Sequence, residues 1–207
     1  MIRCMKEWLM KRQLAMRGAG ALSGLVLLAA GCATVDEAYF LDTRTTANVF
    51  VAPQSRGAVD PIKKIAVMPF KSDSEMVGNA ASDVFLTEIM RTGRYELVER
   101  TRMAQVLSES ELALAGLSAA KATEIGSMLG AEAVVIGTVD EYAMHTYRKQ
   151  AFPVTAMSAR LIDCKTGQVV WSVDLAKRGT DPRVVLSEHM RSVAHEMVAA
   201  LYRRWHR

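Results

Sequence analysis

From Lys63 onward the apolar positions switch between two periods, and each switch marks an element. "KKIAVMPF" is a short, continuous apolar run around Ile65 and Val67. That is the pattern of a strand buried on both faces, and Pro69 closes it. Val77, Ala81, Val84, Phe85 and Ile89 then recur at helical spacing. They predict a helix over about Val77–Thr92, with Gly93 as its C-terminal cap. "RYELVER" alternates, Tyr95 and Leu97 against Glu96 and Val98, as a strand does. Thr101 can cap a second helix carrying Met103, Val106 and Leu107. Ser118 can cap a third, with Ala122, Ile125 and Leu129 inward and Gly130 at its end.

"AEAVVIGTVDEY" starts apolar and alternates later, as a strand that leaves a core. "TAMSARLIDCKTGQVVWSVDL" reads as a hairpin. Met157, Ala159 and Leu161 share one face of its first arm, and Val169, Trp171, Val173 and Leu175 one face of its second. Lys165–Thr166–Gly167 supply the turn, where Gly167 can take positive φ. Asp181 and Pro182 start a last helix with Leu186, Met190, Val193, Met197 and Leu201 as its stripe. It ends "YRRWHR", a basic terminus that suits the helix dipole and leaves Trp205 open to a partner or to lipid headgroups. The order βαβααβββα predicts an α/β fold, a single mixed sheet with packed helices, over residues 61–207.

Before this domain the pattern is different. Arg3 to Arg17 is basic, Gly18 to Ala30 is small or apolar, and Ala29, Ala30 and Gly31 precede Cys32. The apolar stretch is too short to span a bilayer and has the layout of a secretory signal. It resembles a bacterial lipobox, in which cleavage falls between Gly31 and Cys32 and the cysteine carries lipid. The expectation is a signal peptide over 1–31, then a lipidated Cys32 and tether over 32–60. Ala33, rather than aspartate, follows the cysteine and favours the outer membrane, periplasmic face.

Charge and cysteine content fit this division. The chain carries +4 at pH 7, but the excess lies in residues 1–31, and from Cys32 onward acids and bases balance. No basic stripe survives for nucleic acid, and none is expected as a partner. Of three cysteines, Cys4 leaves with the signal, Cys32 is acylated and Cys164 stands alone. Cys164 is therefore expected to act as a small buried hydrophobe.

A search for chemistry finds little. His145, His189, His195 and His206 show no metal-ligand spacing, and His189 and His195 point to opposite sides of a helix. Ser108, Ser110 and Ser187 lack a nucleophile elbow. Gly126 and Gly130 lie in and after a helix, not in a phosphate loop. No catalytic residue, cofactor or metal is expected. "YAMHTYRKQAF" is the one segment with the makings of a recognition surface, through Tyr147, Arg148, Lys149 and Phe152. The plainer reading, and the one preferred, is a strand–loop–strand with a solvated tip.

"IAVMPF", "GRYELVERTRMAQVLSE", "LGAEAVVIGTVDEY" and "ARLIDCKTGQVVWS", in this order, resemble the CsgG family of curli secretion lipoproteins, over about Lys63 to Arg204. The resemblance implies a periplasmic domain like anticodon-binding domains, similar also to LpoB, which activates a peptidoglycan synthase, and to the TolB N-terminal domain. CsgG builds a pore from two membrane hairpins per subunit. Here Ala143–Thr155 and Ala176–Pro182 are too short and too charged for spanning hairpins. The resemblance therefore implies a non-catalytic accessory factor for export or assembly of cell-surface structures, not itself a pore, with a protein partner in the cell envelope. An LpoB-like regulator of a peptidoglycan synthase is the second expectation, and a small-ligand-binding domain the third.

Overall fold

The apolar runs become strands of one six-stranded sheet, in the order β1-β6-β5-β4-β2-β3. The structure, a computed structural model, describes residues 46–56, 61–99, 103 and 119–206. Its strands are β1 (Asn48–Val51), β2 (Lys64–Val67), β3 (Glu96–Leu97), β4 (Ala133–Tyr147), β5 (Gln150–Asp163) and β6 (Val169–Arg178). Its helices are α1 (Glu75–Arg91), α2 (Ala119–Met128) and α3 (Leu186–Trp205). β2 lies parallel to β3 and β4, and the other neighbours are antiparallel, so the sheet is mixed as expected.

Alternation along β2 explains the two cores. Ile65 and Val67 join Phe85 and Ile89 of α1, and Val193, Met197 and Leu201 of α3, on one face. Ala66 and Met68 join Ile125 of α2 on the other. The run is apolar throughout because both its faces are covered. α2 sits close because residue 126 is glycine: a Cβ there would fall 2.2 Å from Val134 Cγ1. Gly93, Gly130 and Gly167 all take positive φ, at the helix ends and the turn where they were expected. The second helix expected from Thr101 lies outside the described residues, except for Met103, which is helical and buried in the second core.

Four expectations change. The stretch read as tether contains β1, which pairs Asn48 with Asp174 and Val51 with Trp171, and buries Val51 in the larger core. Arg94 Nη2 fastens the short helical turn after it, Pro53–Ser55, by donating to the Ser55 carbonyl at 2.8 Å. α3 begins at Leu186, not at Asp181. The Asp181 carboxylate accepts from the Arg183 backbone N–H at 2.9 Å, a local bond that competes with helix. Trp205 is no loose terminus, being wholly buried and edge-on to Tyr95 and Trp171 at 5.9 and 6.4 Å. Finally, Ala143–Thr155 is no loop: the β4–β5 ladder continues to the pair Tyr147↔Gln150.

Candidate functional site

The expected recognition residues meet at the tip of the β4–β5 hairpin. β6 stops pairing at Arg178↔Val154, Gly179 N–H adds one last bond to the Pro153 carbonyl at 2.7 Å, and the β4–β5 ladder continues for four residues per arm. At a rise of about 3.4 Å per residue, this ribbon projects roughly 15 Å. Arg148 and Lys149 form the turn, with φ of 46° and 65°. Two consecutive residues at positive φ make a type I′ turn, whose twist matches the strands it joins. Such turns favour Asn-Gly, and a side chain with a Cβ is strained there. Here two cations occupy the outermost positions.

Tyr147 is 52% exposed and lies between two guanidinium groups. Arg148 Cζ stands 5.3 Å from its ring centroid and Arg178 Cζ 5.6 Å, both within cation–π range. Phe152 pairs with His145, which places it on the same face of the ribbon as Tyr147, two residues along. His145 bonds the Glu141 carboxylate at 2.8 Å. Met144, 41% exposed, lies on the opposite face. The quartet read from the sequence is thus one contiguous surface, and Arg178 joins it. Sequence spacing could not supply Arg178, because only the β5–β6 register brings it near.

The other residues singled out have structural surroundings. His189 Nε2 is 2.9 Å from the Lys177 carbonyl, His195 Nδ1 is 3.1 Å from Glu88, and His206 Nδ1 is 2.8 Å from the Tyr202 carbonyl. Glu88 is buried between α1 and α3, and Glu196 is buried with Lys177 as its partner. Neither was legible as a buried acid from helical period alone. Cys164 packs against the second core, and burial pushes its thiol pKa up. Gly31 and Cys32 lie outside the described residues. Among the described residues, no three His, Cys, Asp or Glu cluster as metal ligands, and no helix is long and apolar enough to cross a membrane. A shallow concavity of about 350 Å³ lies over Thr138, Ser158, Arg160, Ser172 and Asp174, on the polar side of β4, β5 and β6.

Comparison with known proteins agrees with this fold. The PelC dodecamer from Paraburkholderia phytofirmans is similar at 22% identity and a TM-score of 0.53, over 75% of this chain and 96% of that one. Lipoprotein GNA1162 from Neisseria meningitidis is similar at 18% identity and a TM-score of 0.48, over 67% of this chain and 94% of that one. The LpoB C-terminal domain from Salmonella enterica is similar at 17% identity and a TM-score of 0.41, over 57% and 87%. No curated protein matches the chain. The family profile described as curli production assembly/transport component CsgG matches residues 62–184, from the approach to β2 to the turn before α3. With more than half its length matched, and the sheet and helices of the expected fold in place, the chain belongs to the CsgG family.

Proposed function

We propose that this protein is a non-catalytic accessory lipoprotein of a Gram-negative cell envelope, serving the export or assembly of cell-surface structures. The family match over residues 62–184 carries the reading. Hairpin size argues for an accessory role over a pore. A spanning β-strand needs about 9–11 residues, whereas the outer β4–β5 ribbon has four per arm. Between β6 and α3 only residues 179–185 are available.

Cys32 holds the protein at the membrane as the lipidated first residue of the mature chain, and Ala33 directs it to the outer membrane, facing the periplasm. Because β1 is part of the sheet, the tether shrinks to residues 33–47. Fully extended, it reaches about 50 Å at most. That short leash favours a protein partner near the same membrane over a peptidoglycan synthase reached across the envelope.

Mass spectrometry of the mature N-terminus tests the anchor. The expected product is a chain beginning at an acylated Cys32, and an unmodified or internal Cys32 would remove this reading. Crosslinking in intact cells tests the partner: capture of surface-export components supports the proposal, and capture of a peptidoglycan synthase overturns it.

A further inference from the structure

The outer β4–β5 hairpin is basic and amphipathic. Arg148, Lys149 and Arg178 are exposed, and Tyr147 and Met144 stand half out of the protein. No acidic residue occurs between Tyr142 and Phe152. Glu141, at the base, is engaged by His145. The chain also reaches the sheet from this end. β6 runs toward the tip and ends at Arg178, and β1 is antiparallel to it, with Asn48 opposite Asp174 and Val51 opposite Trp171. Whatever precedes Asn48 therefore joins the sheet from the tip side. The Lys165–Gly167 turn lies at the opposite end.

We infer that the tip built by Tyr147, Arg148, Lys149 and Arg178 is a binding surface for an anionic phospholipid bilayer, touched at headgroup level. The setting rests on the lipid-anchored reading above, while the surface chemistry stands on the tip itself. Guanidinium groups donate paired hydrogen bonds to phosphate, and Lys149 adds a point charge. Tyr147 supplies a ring with a polar end, which suits the boundary between headgroup and acyl chain. Four residues per arm confine the hairpin to that boundary.

Lengths agree with the geometry. The tip stands roughly 30 Å beyond the level of Asn48, at about 3.4 Å per residue. Residues 33–47 reach up to about 50 Å, enough for lipid on Cys32 to lie in the plane the tip meets. An acidic protein surface would match the charge equally well. It would give no reason for the leash to join the sheet at the tip side.

Each Lys or Arg near an anionic leaflet adds roughly fivefold to partitioning, so the three cations supply about a hundredfold, reduced by salt. The test uses the chain beginning at Ala33, without signal or anchor. Every described residue of both cores lies beyond that point, so the fold is expected to be retained, which a cooperative urea transition checks first. It is sedimented with phosphatidylcholine vesicles, with and without phosphatidylglycerol. Binding is expected only with phosphatidylglycerol, weakening as salt rises. Arg148→Asn/Lys149→Gly keeps the type I′ turn while removing two charges, so lost binding cannot come from a lost hairpin. It should weaken binding roughly 25-fold. Lys165→Ser, at the far end, should leave binding unchanged. Equal binding to both vesicle types, no binding, or full binding by the double variant overturns the inference. An unmodified Cys32 in the mature chain would instead remove the anchor reading and leave the vesicle result standing.

Discussion

Arg148 and Lys149 occupy backbone that residues with a Cβ avoid, and the cost falls on the hairpin, not on the core. Arg148→Asn/Lys149→Gly should stabilise the protein by about 1 kcal/mol, read as a rise in the urea midpoint at unchanged slope. Glu132 makes a second prediction. Its carboxylate accepts the Lys63 N–H at 2.6 Å and the Lys64 N–H at 3.1 Å, stitching the start of β4 to the start of β2. These backbone bonds hold its pKa below the ordinary carboxylate value. A carboxyl depressed in the folded state contributes fully above its unfolded pKa of about 4.3, and that contribution is lost as pH falls through the folded value. Glu132→Gln should therefore lose stability at neutral pH and show a shallower acid decline than the parent, in urea titrations on either side of pH 4. Single residues were legible where one backbone conformation allows few residue types, as at Gly93, Gly130 and Gly167. Arg148–Lys149 gave no such sign, because the dipeptide carries no type I′ preference and the strand register alone forces it into the turn.

Elements were legible where one face is buried and obscure where none is or where pairing is remote. The stripes of α1 and the first half of α3 follow the 3.6 period because the helix meets the sheet along one side, whereas Val198 to Tyr202 of α3 are buried all round. The outer ribbon, exposed along β4 from Met144 to Tyr147, has no reason to alternate there, and its His, Arg, Lys and Pro imitate a loop. β1 is four residues in a polar stretch, and its partner β6 lies more than a hundred residues away, so Val49, Phe50 and Val51 mark the segment as apolar enough to dock but nothing local announces a strand. This element carries weight. A chain starting at residue 61, where composition alone would place the domain boundary, loses the buried Val51, the packed Val49 and the Arg94–Ser55 bond. Compared with a chain starting at residue 46, it should lose about 3 kcal/mol from burial and hydrogen bonding together. Matched urea curves check this, and equal midpoints would mean that β1 is an ornament of the sheet.

For the whole molecule, the proposed anchor and the proposed tip contact combine into two holds on one surface. From Cys32 onward acids and bases balance, so attraction to an anionic leaflet has to come from where the cations sit, not from net charge. The tip gathers three of them at the end of the sheet from which the chain enters β1. Two or more acyl chains give stable anchoring, whereas a few cations give a weak, salt-sensitive hold. The holds should therefore separate in cell fractions. The acylated chain should stay with membranes whether or not Arg148 and Lys149 are replaced by glutamate. A chain exported from Ala33 behind a signal cleaved without acylation should divide between soluble and membrane fractions at low salt. High salt should release it, and so should the double glutamate substitution. On this proposal the anchor sets attachment and the tip sets posture. The acylated double variant should accordingly keep its membrane but lose its orientation, seen as faster cutting by added protease at the β4–β5 turn and unchanged cutting near Lys165. Equal protease sensitivity of parent and variant would show that the tip does not rest on the bilayer even when the lipid holds it within reach.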